Sequence, residues 1–140
     1  MNQSDKNLKS IRLLRILFSW VAVVVWAMFI FLFSAQHSLG TGWGIWDFIL
    51  RKTAHMGEFA ILFVLVCRAV RMRGVASRTS LVSGATITLA YAASDEYHQS
   101  FVPGRTASVR DVLFDLAGIL IAFAAVVIIK KRAGTSTTPE

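Results

Sequence analysis

Cysteine is nearly absent: Cys67 is the only one among 140 residues. No intramolecular disulfide can form, and neither a CxxC redox pair nor a zinc knuckle can be assembled. A lone cysteine inside an apolar run reads as a small helix-packing residue. Charge is scarce as well, at 16% of residues against 55% hydrophobic, which excludes an ordinary soluble domain. Between Ile16 and Trp46 there is no charged residue at all. The chain has no phosphate-binding glycine loop, no G-x-S-x-G elbow and no HExxH zinc site. It also lacks the internal repeats on which transporters are built. The net charge of +7 is not interleaved with aromatics on a soluble face, so nucleic acid is not its explanation.

What is present is long apolar runs. Ile16 to Ser34 suffices to cross roughly 30 Å of hydrocarbon at about 1.5 Å per residue. It exceeds the roughly 7 to 15 apolar residues of a signal peptide, and no small-x-small cleavage site follows, so it reads as an uncleaved first span. Three further spans are expected at about 52–70, 80–94 (extending toward Gln99) and 112–129. Between the first two, glycines break the helix, and Trp43 and Trp46 suit an interfacial belt. The 15 basic residues divide unevenly: Lys6, Lys9, Arg12, Arg15, Arg68, Arg71, Arg73, Arg78, Lys130, Lys131 and Arg132 fall on one side, and only Arg51, Lys52, Arg105 and Arg110 on the other. The positive-inside rule then sets both termini in the cytoplasm. The expectation is an all-α integral membrane four-helix bundle in a bacterial cytoplasmic membrane. Its membrane domain covers residues 1–132, followed by a polar, disordered tail at 133–140.

The acids and histidines gather at the opposite, outer end. On the second helix Arg51, Lys52, His55 and Glu58 form one polar stripe, with Glu58 on the order of 9 Å deeper than Lys52. On the third, Gly84, Thr88, Tyr91, Asp95 and then His98 or Gln99 share a face, and Ser80, Gly84 and Thr88 repeat at four-residue spacing, which permits close helix approach. That helix is expected to be the central one. Asp111 and Asp115 stack at i and i+4 on the fourth helix, and Gly118 continues their face. Pro103-Gly104 suits a type II turn that brings Arg105 to the helix ends. Lys52, His55, Glu58, Asp95, Glu96, His98, Arg105, Arg110, Asp111 and Asp115 thus reach one level. Ionisable groups at a lipid boundary are costly unless paired, hydrated or used.

The histidines and carboxylates offer acids and bases near neutral pH, while Lys52, Arg105 and Arg110 offer a cradle for an anionic group. His55-x-x-Glu58 and Glu96-x-His98 with Asp111 or Asp115 could supply a divalent ion with N and O ligands. Glu96 and His98 do not share a helical face, however, so no metal ligands are assigned and the cofactor is left open.

Three segments carry a resemblance: Arg51-Lys-Thr-Ala-His-Met-Gly-Glu-Phe59, Tyr91-Ala-Ala-Ser-Asp-Glu-Tyr-His-Gln-Ser-Phe-Val-Pro-Gly-Arg105, and Val109-Arg-Asp-Val-Leu-Phe-Asp-Leu-Ala-Gly118. They closely resemble the VanZ-like family of small bacterial membrane proteins, named for a member associated with teicoplanin resistance. The likeness runs from about Arg51 to Leu120. It implies motif roles for Lys52, His55, Glu58, Asp95, Glu96, His98, Gln99, Arg105, Asp111 and Asp115, and a part in the cell envelope. The leading expectation is a pocket that binds or modifies an anionic lipid-linked envelope component. Catalytic candidates are His55, Glu58, Asp95, Glu96, His98, Asp111 and Asp115; substrate-binding candidates are Lys52, Gln99, Arg105 and Arg110. Alternatives are a non-catalytic lipid binder and a structural ion-pair network. The expected partners are membrane lipids or lipid-linked precursors, with a homodimer allowed through Gly84 and Gly118.

Overall fold

The computed structural model describes residues 2–35, 44–103 and 108–135. They form four helices: α1 (Gln3–Ser34), α2 (Ile45–Met72), α3 (Ser77–Gln99) and α4 (Val109–Thr135). Three of them, Gln3–Ser34, Ile45–Met72 and Val109–Ala133, are long and apolar enough to cross a membrane. Large apolar side chains cover their outer surfaces, with Phe18 68% and Val25 62% exposed on α1. A water-soluble monomer rarely presents so much contiguous apolar surface; lipid accounts for it.

α3 has 23 residues, enough to span at about 1.5 Å each, yet it is more polar than its neighbours. Its polarity is turned inward. Ser80, Thr88, Asp95, Glu96 and Gln99 are buried, whereas Val82, Ile87 and Leu89 are exposed. The face expected from the sequence is therefore the interior one.

Contacts fix the order as up-down-up-down. Trp26 Nε1 of α1 donates to the Glu58 carbonyl of α2 at 2.9 Å, and Phe59 of α2 meets the Tyr91 ring of α3 at 6.2 Å. Lys130 Nζ at the end of α4 donates to Ser77 Oγ at the start of α3, 2.7 Å away. α2 and α4 run parallel, with Phe63 and Phe123 rings 6.1 Å apart.

The central helix is α2, not α3 as the small-residue pattern implied: α2 lies against all three others, while α1 has little contact with α3. The reason is side-chain size. Phe59, Leu62, Phe63, Val66 and Val70 recur at helical spacing and are buried, giving α2 the largest apolar payload. The small residues of α3 serve closeness instead. A Cβ on Gly84 would overlap Cys67 Sγ, and one on Gly118 of α4 would overlap the Met56 backbone. Both glycines are therefore occupied by neighbours within the chain, so they are not free contact points for a second copy.

The elements run longer than expected. α1 extends back through the basic N-terminal stretch to Gln3, capped by the Asn2 side chain. α2 begins at Ile45, so Trp46, Asp47 and Arg51 are helical; Gly44 before it adopts φ 57°, a region open to glycine. α4 continues to Thr135, into the segment expected to be a tail. Trp43, Gly104, Arg105 and residues 136–140 lie outside the described residues.

Candidate functional site

The site is assembled at the end of the bundle where α2 and α4 begin and α3 ends. Lys52, in the first turns of α2, forms an ion pair with Asp111 in the first turn of α4, Nζ to Oδ1 2.5 Å. The ammonium also lies over the Phe48 and Phe114 rings, 5.6 and 5.8 Å from their centroids. An aromatic pair around a cation shields it from lipid and adds attraction.

One turn deeper, His55 Nδ1 stands 3.7 Å from Glu58 Oε2 and 3.9 Å from Asp115 Oδ1. The imidazole stacks on Phe59, centroids 6.2 Å apart with planes at 15°, which holds the ring between the two acids. The i, i+3 spacing of His55 and Glu58 and the i, i+4 spacing of Asp111 and Asp115 set two ladders on facing helices. Gly118 lets those ladders meet: with no side chain of its own, it allows α4 to rest on the Met56 backbone.

The end of α3 completes the arrangement. Glu96 is buried, and its Oε2 accepts from the backbone N–H of Ser108 at 3.2 Å. Ser108 is the N-cap of α4, its Oγ accepting from the Arg110 N–H at 3.2 Å. A carboxylate at that helix start is favoured by the helix dipole. Glu96 is within electrostatic reach of Lys52, Asp95 and Asp111, and Asp115 of Glu96, Asp95, Lys52 and Asp111. A cleft of about 230 Å³ opens beside Glu96, bordered by Tyr97, Ser100, Ser108, Val109 and Val112.

Asp95 does different work. Its Oδ2 accepts from Ser34 Oγ at 2.7 Å and from Gln99 Nε2 at 2.8 Å, and Gln99 also donates to Ser34 Oγ at 2.6 Å. This closed triangle ties the end of α1 to the end of α3. Tyr91 Oη strengthens the same seam by donating to the Ala27 carbonyl at 2.6 Å. Gln99, expected to hold substrate, is thus 4% exposed and engaged in the lock. His98 faces α1, its ring 4.2 Å from that of Phe31, with Nδ1 buried and lacking a hydrogen-bond partner among the described residues.

Lys52, His55, Glu58, Glu96, Asp111 and Asp115 therefore converge; Asp95 borders them; Gln99 and His98 turn to α1; Arg110 is exposed at the rim. No group of three histidine, cysteine or acidic residues among the described residues is arranged to hold a metal ion. Ser34, Ser108 and Trp26 are the participants that sequence reasoning missed. Ser34 carried one usable signal, a hydroxyl closing an apolar run.

Long apolar helices packed with a polar helix whose polar face turns inward, and an acid-rich centre at one end, define a small all-α membrane protein. The family model described as VanZ/LLP1 matches residues 3–130, and the chain belongs to that family. No curated protein and no solved structure matches it.

Proposed function

We propose that the chain resides in the bacterial cytoplasmic membrane and binds, at its extracytoplasmic polar end, the headgroup of a lipid-linked cell-envelope component. His55, Glu58, Glu96 and Asp115 act as proton donors and acceptors toward it. The observation that carries this is the half-buried His55 between Glu58 and Asp115, 3.7 and 3.9 Å away, with the buried Glu96 within electrostatic reach of Asp115. Acids and an imidazole from three helices at a lipid boundary are a costly way to hold a bundle together, and a useful way to engage hydroxyl or ammonium donors.

The orientation follows from the basic residues at the other end of the helices. The exposed Arg110 meets the anionic linker of the lipid, with Arg105 assigned the same role from its place in the sequence alone, since Lys52 is committed to Asp111. Reduced susceptibility to a lipoglycopeptide such as teicoplanin would follow where the bound component is one the drug needs. The Asp95, Ser34 and Gln99 triangle belongs to stability and takes no part in the chemistry.

The test is mass spectrometry of purified protein incubated with envelope lipids, comparing wild type with Glu58→Gln and Glu96→Gln. The expected result is a wild-type product that both variants fail to make while retaining normal melting behaviour. Turnover persisting in both variants contradicts the proton-transfer roles. Lipid retention without product, lost on Glu96→Gln, would favour the non-catalytic binder, for which the cleft beside the buried Glu96 is the specific support. Loss of melting temperature in both variants with no lipid retained by any form would leave only a structural network.

A further inference from the structure

The opposite end of the bundle carries a second kind of chemistry. There α1 and α2 leave a cleft of about 400 Å³ with Arg15, Arg68 and Met72 around it and Phe18, Ala22 and Leu65 along it. Because the two helices are antiparallel, Arg15 and Arg68 stand at one level, and Phe18, Ala22 and Leu65 all lie deeper toward the bundle centre. The cleft is charged at its mouth and apolar below. Ser19, also in its wall, donates to the Ile16 carbonyl of its own helix at 2.7 Å, so the two guanidinium groups are its available donors. Neither arginine forms an ion pair among the described residues.

On the other flank of α2 a cleft of about 440 Å³ repeats the pattern, with Arg68 again, Arg71 and Lys130 outermost and Val64 and Val126 deeper. Arg68 borders both. It lies ten residues beyond Glu58, about 15 Å along the helix, so this region is separate from the acid-rich centre and does not depend on the function proposed for it.

We propose that Arg68, with Arg15 on one side and Arg71 and Lys130 on the other, binds the phosphate of an anionic phospholipid whose acyl chains lie along the apolar floors. Guanidinium groups favour phosphate through paired N–H donors, and basic pockets between membrane helices suit anionic headgroups. The exposed Phe18 favours a lipid over a soluble anion, because it continues the cleft into the hydrocarbon. A zwitterionic lipid would bring its own ammonium against uncompensated arginines.

The experiment is native mass spectrometry of the full chain in detergent, titrated with phosphatidylglycerol or with phosphatidylcholine of matched acyl chains. Wild type should retain phosphatidylglycerol preferentially, and Arg68→Gln should weaken that retention about fivefold with phosphatidylcholine unchanged. Arg78→Gln removes a charge at the same end outside both clefts and should have no effect; a thermal melt verifies that each variant folds. Equal retention of the two lipids by wild type would overturn the proposal. So would an equal loss on Arg78→Gln, which would reduce the effect to general basicity. Displacement of the lipid by millimolar inorganic phosphate would also overturn it, by making the site one for a free anion.

Discussion

Replacing Gly118 with alanine tests whether α4 really rests on the backbone of α2. The added Cβ would overlap the carbonyl oxygen, carbonyl carbon and Cα of Met56. No rotamer change relieves a clash with main chain, so α4 must retreat by at least about 1.3 Å to reach an ordinary separation of about 3.5 Å. Overpacking of this kind costs ~1–3 kcal/mol, and the rigid partner puts it near the upper end. Alanine recovers about 1 kcal/mol of helix propensity, leaving a net loss of ~2 kcal/mol, roughly a thirtyfold shift toward the unfolded state. Denaturant titration in mixed micelles reads it. Gly57→Ala is the control, because a Cβ there meets nothing within 4 Å; it should be neutral or stabilising. If Gly118→Ala proves as harmless as Gly57→Ala, the close approach of α2 and α4 is wrong, and the His55 to Asp115 juxtaposition goes with it.

Gly84→Ala should also destabilise, but here the obstacle is the Cys67 side chain with the Phe63 ring 3.3 Å away, so Cys67→Ala in the same chain should restore much of the loss; absence of coupling in the double-mutant cycle would contradict the contact. Ser34→Ala removes a donor from Asp95 and an acceptor from Gln99 in a buried triangle, and should cost ~1–3 kcal/mol in the same titration. A neutral Ser34→Ala would mean that α1 is not tied to α3 there.

What the sequence revealed and what it hid have a common physical basis. Helical periodicity is local, so the stacking of Asp111 on Asp115, the Lys52, His55 and Glu58 stripe and the inward polar face of α3 could all be read from spacing. The pairing of helices is not local. Small residues on α3 suggested a central position, yet the aromatic payload of Phe59 and Phe63 made α2 the hub. Likewise the adjacent acids part company: Asp95 turns with His98 and Gln99 toward α1, while Glu96 turns toward the start of α4, because successive residues differ by about 100° around a helix. Ser34 escaped notice because its one local signal, a hydroxyl closing an apolar run, does not say which group that hydroxyl meets.

The proposed function requires a polar centre that opens away from the cytoplasm. Cysteine labelling in intact cells with a membrane-impermeant maleimide tests this most directly, in a Cys67→Ala background that removes the only native thiol. Ser100→Cys lies beside the Glu96 cleft and Ser77→Cys at the other end of α3, and both positions are exposed. Labelling at Ser100→Cys in intact cells, with Ser77→Cys reacting only after permeabilisation, is the predicted result; the reverse pattern would contradict it.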